Sequence, residues 1–279
     1  MSDHALPEKK KRIWEIDALR GILILLVLCN HLQSTVEDFM IHGIYKNFDI
    51  LRWIEITDPL NVWFQLGSDG IAIAAPWIDK VRSALTRPIV DLFFVVSGLS
   101  CVFSRNNLKS GLRILAGAGF ISIFTWILTI ITEDRYQFIR FGVLHCYALC
   151  HLIYYFMLEK ASNKVMLIVV ATSLIVGYTL RYLNLYSHYA LLVPFGIREY
   201  GAVHRDYWPV FPMLGWFLIG VILGKRFYSK KETLLPSQSD RQWHRPLCFL
   251  GRYSGLFYCG HMVVYTVMFC GIGYIFDLY

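Results

Sequence analysis

The stretch "EIDALRGILILLVLCNHL", residues 15–32, decides the fold class because it places polar side chains around the apolar core of one helix. An unbroken apolar run extends from residue 22 to residue 29, and Asp17, Arg20 and His31 flank it. At about 100° per residue, Arg20 and His31 share nearly one direction and Asp17 lies only about 40° away. The three form a stripe about 20 Å long, so we expect this helix to line a polar interior. The alternative is that Asp17 and Arg20 merely pair with each other near the surface.

The composition of the 279-residue chain is typical of a membrane protein. Hydrophobic residues make up 56% and charged residues 17%, whereas soluble domains carry roughly a quarter charged residues. The net charge of +7 does not indicate a nucleic-acid partner, because the basic residues lie in short segments between apolar runs. The seven cysteines occur mostly inside those runs, so we expect no disulfide framework. We predict a polytopic protein of the lipid bilayer.

Seven apolar stretches approach the length of about 20 residues that a transmembrane helix needs. They are about Ile13–Leu32, Ile89–Phe103, Leu112–Ile131, Phe138–Leu158, Val165–Leu183, Tyr207–Leu223 and Leu247–Phe269. Lys and Arg concentrate in alternate connections, which places the N-terminus in the cytoplasm and the C-terminus outside. We therefore predict an all-α bundle of about seven transmembrane helices, with a basic cytoplasmic tail at 1–12 and one transmembrane domain at 13–279. An extracytoplasmic loop, 33–87, would carry short interfacial helices anchored by tryptophan.

Ionisable side chains inside the predicted spans fall into two groups by depth, and such groups are costly unless they pair or face water. The outer group would contain His31, Asp91 and His145. The inner group would contain Asp17, Arg20 and Arg252. Arg140 and Asp206 lie at the outer rim, where long side chains reach water, and His261 lies near mid-depth. Arg252 and His261 fall on opposite faces of a continuous helix, so they share a cavity only if Gly255 and Gly260 bend it.

Metal and haem binding receive little support from the remaining histidines and cysteines. Cys146 and Cys150 stand one helical turn apart in "HCYALCH", but no second cluster completes four ligands. His151 is better interpreted as a packing histidine. We expect neither metal nor haem, although histidines on opposed helices keep a haem-bearing electron carrier as a weak alternative.

A histidine on a polar stripe suits general-base chemistry, because its ordinary pKa lies near neutrality. A carboxylate such as Asp91 would orient the imidazole. Cationic groups at the cytoplasmic end suit a ligand that bears phosphate. The pattern favours a donor from the cytoplasm and an acceptor outside. A small-molecule or lipid-intermediate transporter that uses the same polar cavity without chemistry is the alternative.

Five stretches in order resemble the heparan-α-glucosaminide N-acetyltransferase-like family of membrane proteins. They are "RIWEIDALRGILILLVLCNHL", "VDLFFVVSGLS", "FGVLHCYAL", "RDYWPVFPMLGWFLIGVILGK" and "FLGRYSGLFYCGH". The spacing of Arg20 and His31 is also similar to that of the broader acyltransferase-3 group. The resemblance implies transfer of an acetyl group from cytoplasmic acetyl-CoA to a hydroxyl or amine of an extracytoplasmic sugar or glycan. By the same resemblance His31 is the active-site histidine.

The expected site has two sets of residues. The catalytic set is His31, Asp91 and His145. The substrate- and donor-binding set is Asp17, Arg20, Asn30, Arg140, Asp206, Arg252 and His261. Acetyl-CoA is expected as co-substrate, a homodimer is compatible with the sequence, and the resemblance favours the cytoplasmic (inner) membrane of a bacterium. Direct transfer and an acyl-histidine intermediate both remain open.

Overall fold

A computed structural model of the chain describes residues 13–36, 39, 64–66, 72–74, 76–132, 138–201, 206–238 and 242–278. The predicted basic tail at 1–12 lies outside the described residues, as does most of the loop at 33–87 with its predicted interfacial helices. In that loop the structure describes one small antiparallel pair of strands, β1 (Phe64–Leu66) and β2 (Ala72–Ala74), with Gln65 opposite Ile73.

The described part of the chain is mainly helical. Its α-helices are α1 (Trp14–Val36), α2 (Pro76–Cys101), α3 (Asn107–Thr132), α4 (Val143–Ile153), α5 (Asn163–Leu183), α6 (Val210–Phe227), α7 (Arg245–Arg252) and α8 (Ser254–Ile275). A π-helical turn, Tyr154–Leu158, continues α4. Between α5 and α6, β3 (Tyr186–Ser187) pairs in parallel with β4 (Arg198–Glu199) around the 3-10 helix Ala190–Phe195.

Five helices in the described part of the chain are long and apolar enough to cross a membrane. The segments are Ala84–Cys101, Asn107–Ile130, Asn163–Leu183, Val210–Phe227 and Ser254–Ile275. A shorter apolar helix, Val143–Leu158, lies among them. Large apolar side chains such as Phe120, Ile123 and Trp126 are exposed along α3, as expected of a lipid-facing surface. The helical membrane fold is thus confirmed, while the count of seven spans and the cytoplasmic N-terminus stay predictions.

The main core lies between α2, α4, α5 and α6. Phe94, Met166 and Phe217 are fully buried there, and half-buried apolar residues surround them. A second cluster joins the first turns of α1 to the last turns of α2 through Ile13, Ile16 and Val96. These contacts hold the start of α1 against α2.

The closest helix approach that concerns the site is between α1 and α7. A Cβ atom added at Gly251 would lie 1.7 Å from the main-chain oxygen of Asp17, and one at Gly21 would lie 1.9 Å from that of Leu247. Both distances are far below van der Waals contact, so only glycine allows the two backbones to approach this closely. The crossing places α7 beside the inner polar residues of α1.

The prediction of a single span at Leu247–Phe269 is wrong, because this stretch is divided between α7 and α8. The last turn of α7 closes with a hydrogen bond from Tyr253 N to Phe249 O of 3.2 Å, and a new helix begins at Ser254. The short α7 carries Arg245 and Arg252 and is not apolar enough to belong to a span. The second predicted span, Ile89–Phe103, lies in a longer helix, since α2 starts at Pro76 and its apolar segment at Ala84.

Candidate functional site

Two histidines from different helices meet between α1 and α8. The ring centroids of His31 and His261 are 4.8 Å apart, and their planes are nearly perpendicular at 77°. Tyr258 lies against both rings, with centroid distances of 6.3 Å to His31 and 5.5 Å to His261. The hydroxyl of Tyr265 donates to the main-chain oxygen of Leu28 at 3.2 Å, which ties α8 to α1 one turn away from the pair. The two histidine rings are therefore packed against the aromatic ring of Tyr258.

The hydrogen bonds of His261 define which ring nitrogen carries the proton. Nδ1 lies 2.6 Å from the main-chain oxygen of Tyr258, and a carbonyl oxygen only accepts, so Nδ1 is the protonated nitrogen. In the neutral ring Nε2 then presents a lone pair. Nε2 is buried and has no hydrogen-bond partner among the described residues. A buried polar atom of this kind calls for an explanation.

His145 holds the opposite tautomer. Its Nδ1 accepts from the main-chain N–H of Gly142 at 3.2 Å, while its Nε2 lies 3.2 Å from Ser122 Oγ. Because the hydroxyl proton of Ser122 goes to the main-chain oxygen of Ile139 at 2.8 Å, Nε2 of His145 must be the donor. Both ring nitrogens are thus engaged by protein groups and hold the turn that begins α4.

Asp206 lies just before α6 and connects three elements. Its Oδ2 accepts from Val143 N at 3.0 Å, at the start of α4, and from the Tyr258 hydroxyl at 3.4 Å. Its Oδ1 accepts from the indole N–H of Trp208 at 3.0 Å. A Cβ atom on Gly142 would lie 2.4 Å from Oδ2, so glycine leaves the space that the carboxyl group fills. Burial raises the pKa of Asp206, and the three donors and the nearby His145 oppose that rise.

At the inner end of the stripe, Asp17 and Arg20 form an ion pair with an N–O distance of 3.7 Å. The pairing that the sequence left as an alternative is therefore present. Arg20 also lies within electrostatic range of Tyr147 and His151 on α4, so its charge is directed towards the bundle as well. His151 is buried, with Nδ1 3.0 Å from Tyr147 O and Nε2 3.5 Å from Ser97 Oγ, as a packing histidine should be.

Asn30 and Asp91 line the region between α1 and α2. The Thr86 hydroxyl donates to Asn30 Oδ1 at 3.5 Å. Asp91 has a buried oxygen, Oδ1, with no hydrogen-bond partner among the described residues, and Arg87 lies within electrostatic range one turn earlier. The Arg87 guanidinium lies 5.8 Å from the ring centroid of Trp208, whose indole N–H binds Asp206.

Two predicted residues lie apart from the histidine pair. Arg140 is exposed and forms an ion pair with Glu199 on β4. Arg252 is exposed at the end of α7. The break at Tyr253 separates Arg252 from the helix that carries His261.

Sequence analysis missed the residues that support His261, above all Tyr258, Tyr265 and Trp208. A signal was present, since Tyr258, His261 and Tyr265 follow the i, i+3, i+7 spacing of one helix face. Trp208 and Ser122 have no comparable local pattern, because their partners are distant in sequence. Within the described ranges, no group of three or more His, Cys, Asp or Glu side chains could hold a metal ion.

Fold and site together define a helical membrane protein with paired histidines between two of its helices. The family model for heparan-alpha-glucosaminide N-acetyltransferase, catalytic, matches residues 60–263, more than half of the chain, and the chain belongs to this family. Membership implies an acetyltransferase-type enzyme and confirms the resemblance drawn from the motifs. The matched range includes Asp91, His145, Asp206 and His261, whereas α1 precedes it. Comparisons with curated proteins and with solved structures find no match.

Proposed function

We propose that the protein is an integral-membrane acetyltransferase that transfers the acetyl group of cytoplasmic acetyl-CoA to a hydroxyl or amine of an extracytoplasmic sugar or glycan. The observation that carries the proposal is that Nε2 of His261, buried beside His31, has no hydrogen-bond partner in the part of the chain that the structure describes. The bond from Nδ1 to the Tyr258 carbonyl keeps the proton on Nδ1, so the lone pair of the neutral ring is on Nε2. A fixed tautomer with a lone pair that no other described group uses is what a general base requires.

In the proposed reaction the His31–His261 pair takes the proton of the acceptor hydroxyl or amine. The acceptor oxygen or nitrogen attacks the thioester carbon, the carbon–sulfur bond breaks, and CoA leaves as a thiolate. The imidazolium then returns the proton to that thiolate, so the enzyme ends in its starting state. Asp91, whose buried Oδ1 has no hydrogen-bond partner among the described residues, would accept a hydrogen bond from the acceptor.

The donor would bind towards the opposite end of α1. Arg20 precedes His31 by eleven residues, or about 17 Å along the helix, which separates a phosphate-binding end from a reacting end. Arg20 carries a charge suited to the phosphates of acetyl-CoA, and Asp17 holds it in place. Asn30 stands next to His31 and would contact the acetyl group. Arg252, exposed at the end of α7, would add positive charge at the donor end.

The orientation is part of the proposal: the N-terminus faces the cytoplasm, and the histidine pair opens to the other side of the inner membrane of a bacterium. Alternate clustering of Lys and Arg supports it. A homodimer and a donor contact of Arg140 stay predictions. Neither contributes to the proposed chemistry.

The test uses the purified full chain in liposomes with radiolabelled acetyl-CoA and glucosamine as the acceptor probe. We expect CoA release and labelled product from the wild type, and losses of at least about 100-fold for His31→Ala and His261→Ala. His188→Ala is the matched control, because this histidine is exposed on the loop between α5 and α6 and only stacks on Tyr200. Glucosamine flux without CoA release, undiminished in His261→Ala, would instead support the transporter.

A further inference from the structure

The carboxyl group of Asp206 is fully engaged by protein donors. Oδ1 accepts from Trp208, while Oδ2 accepts from Val143 N and from the Tyr258 hydroxyl. A carboxylate also repels phosphate. These contacts do not suit the donor-binding role that the sequence suggested for Asp206, and they suit a group that holds other residues in place.

Tyr258 is the residue through which Asp206 reaches the histidine pair. At one end its hydroxyl donates to Asp206 Oδ2 at 3.4 Å, and at the other its main-chain oxygen accepts from His261 Nδ1 at 2.6 Å. Its ring lies between the two ends and contacts both histidines. A displacement of the Tyr258 ring would therefore change the packing of His31 and His261 at once.

Asp206 is itself anchored from outside α8. The start of α4 supplies Val143 N, and the segment before α6 supplies Trp208. Gly142 leaves the space that this arrangement needs. Two elements thus hold one carboxyl group, and this carboxyl group accepts from the Tyr258 hydroxyl of a third, α8.

We infer that Asp206 is a positioning residue that acts through Tyr258 to hold the His261 ring in its reactive orientation beside His31. The inference rests on the proposed function for its catalytic meaning. The positional link itself concerns hydrogen bonds that exist without turnover, so the two can be tested separately.

The decisive variant is Tyr258→Phe, which removes the hydroxyl and leaves the other two bonds of Asp206 intact. Tyr207→Phe is its matched control, because Tyr207 follows Asp206 in the segment before α6 and its hydroxyl donates to Val193 O at 2.8 Å. In the liposome assay with acetyl-CoA and glucosamine, we expect Tyr258→Phe to lower kcat by about 10- to 100-fold. The KM for acetyl-CoA should stay within about twofold, and Tyr207→Phe should keep both constants within about twofold.

A second measurement needs no turnover. Nitrogen-15 NMR of histidine-labelled protein in detergent should show one neutral His261 form, protonated at Nδ1, in the wild type and in Tyr207→Phe. Tyr258→Phe keeps the main-chain oxygen that accepts from Nδ1, so the tautomer should persist. The nitrogen-15 chemical shifts of His261 should change, because the ring at position 258 is no longer anchored to Asp206. Asp206→Asn should give the same pattern in the fraction that folds.

The two measurements test the positioning role of Asp206 and the proposed acetyltransferase function separately. Equal kcat values and equal His261 spectra for Tyr258→Phe and Tyr207→Phe would overturn the positioning role of Asp206, whatever the enzyme does. A wild type that neither binds acetyl-CoA nor releases CoA, together with the expected spectra, would remove the proposed function and keep the positional link.

Discussion

The rings of His31 and His261 stand 4.8 Å apart and nearly perpendicular, although 230 positions separate them in the chain (261 minus 31). Their helices are brought together by Tyr265, which bonds to the backbone of α1, and by Tyr258, which packs against both rings. Two imidazolium charges at this distance would repel each other, so the pair is suited to carry one added proton, beyond the N–H of each neutral ring. The proposed reaction, in which one proton moves from the acceptor to the leaving thiolate, needs that capacity.

The two ends of α1 are expected to contribute separately to donor binding and to chemistry. Arg20→Ala should weaken acetyl-CoA binding by about tenfold or more, because a charge-assisted contact to phosphate is lost. His31→Ala should bind acetyl-CoA nearly as the wild type does. Isothermal titration of detergent-purified protein measures both, with Arg181→Ala as the control at the far end of α5. Equal affinity of Arg20→Ala and wild type would rule out a donor site at this end.

Gly142→Ala should destabilise the protein by about 1–3 kcal/mol, since its new methyl group would displace Oδ2 of Asp206 from Val143 N. The backbone of Gly142, at φ −108°, suits alanine, so the cost comes from the contact. Gly119→Ala on α3 is the control, because a Cβ there meets nothing within 4 Å. Thermal unfolding in detergent should separate the variants. A Gly142→Ala protein as stable as Gly119→Ala would contradict the packing described.

The raised pKa of Asp206 predicts how the thermal stability of the protein changes with pH. The folded protein binds this proton more tightly than the unfolded chain does, so the contribution to stability is complete below the ordinary pKa of about 3.8 and is lost as the pH rises through the raised value. Asparagine does not titrate. The melting temperature of the wild type minus that of Asp206→Asn should therefore fall as the pH rises above about 4. Tyr207→Phe should keep the wild-type slope, and a difference that grows with pH would refute the assignment.

Ser122→Ala should cost about 1–3 kcal/mol, because it removes the partner of His145 Nε2 and the donor to Ile139 O together. Thr129→Ala on the same helix removes only a bond to the carbonyl one turn earlier, Thr125 O, and should cost less. Denaturation of both variants in one detergent measures the difference. If the costs are equal, His145 is not held across α3 and α4 as described.

Much of the fold could be predicted from the sequence, because a helix that crosses a bilayer must be long and apolar and because a charge inside the bilayer costs free energy. Hydropathy located the helices from α3 to α6 to within a few residues. It could not locate the break at Tyr253, which depends on how α7 packs against Gly21 of α1. The break resets the rotation of α8, so the angle between Arg252 and His261 does not follow from one continuous helix, and the two residues lie apart.

The candidate site could be predicted only in part. The inner pair of Asp17 and Arg20 is local, and helical periodicity was sufficient to find it. The outer group of His31, Asp91 and His145 was assigned by depth alone. In the structure His31 meets His261, whereas His145 turns to Ser122. Depth places residues at one level of a bundle, but only packing decides which of them face each other.

The contact between Gly21 and Gly251 restricts how this crossing can vary. Each glycine already has the smallest side chain available, and each meets main-chain atoms of the other helix. Enlargement at one position therefore has no second-site suppressor at the other. In a library randomised at both positions, the functional clones should carry glycine at both. The two positions should therefore be retained or lost together.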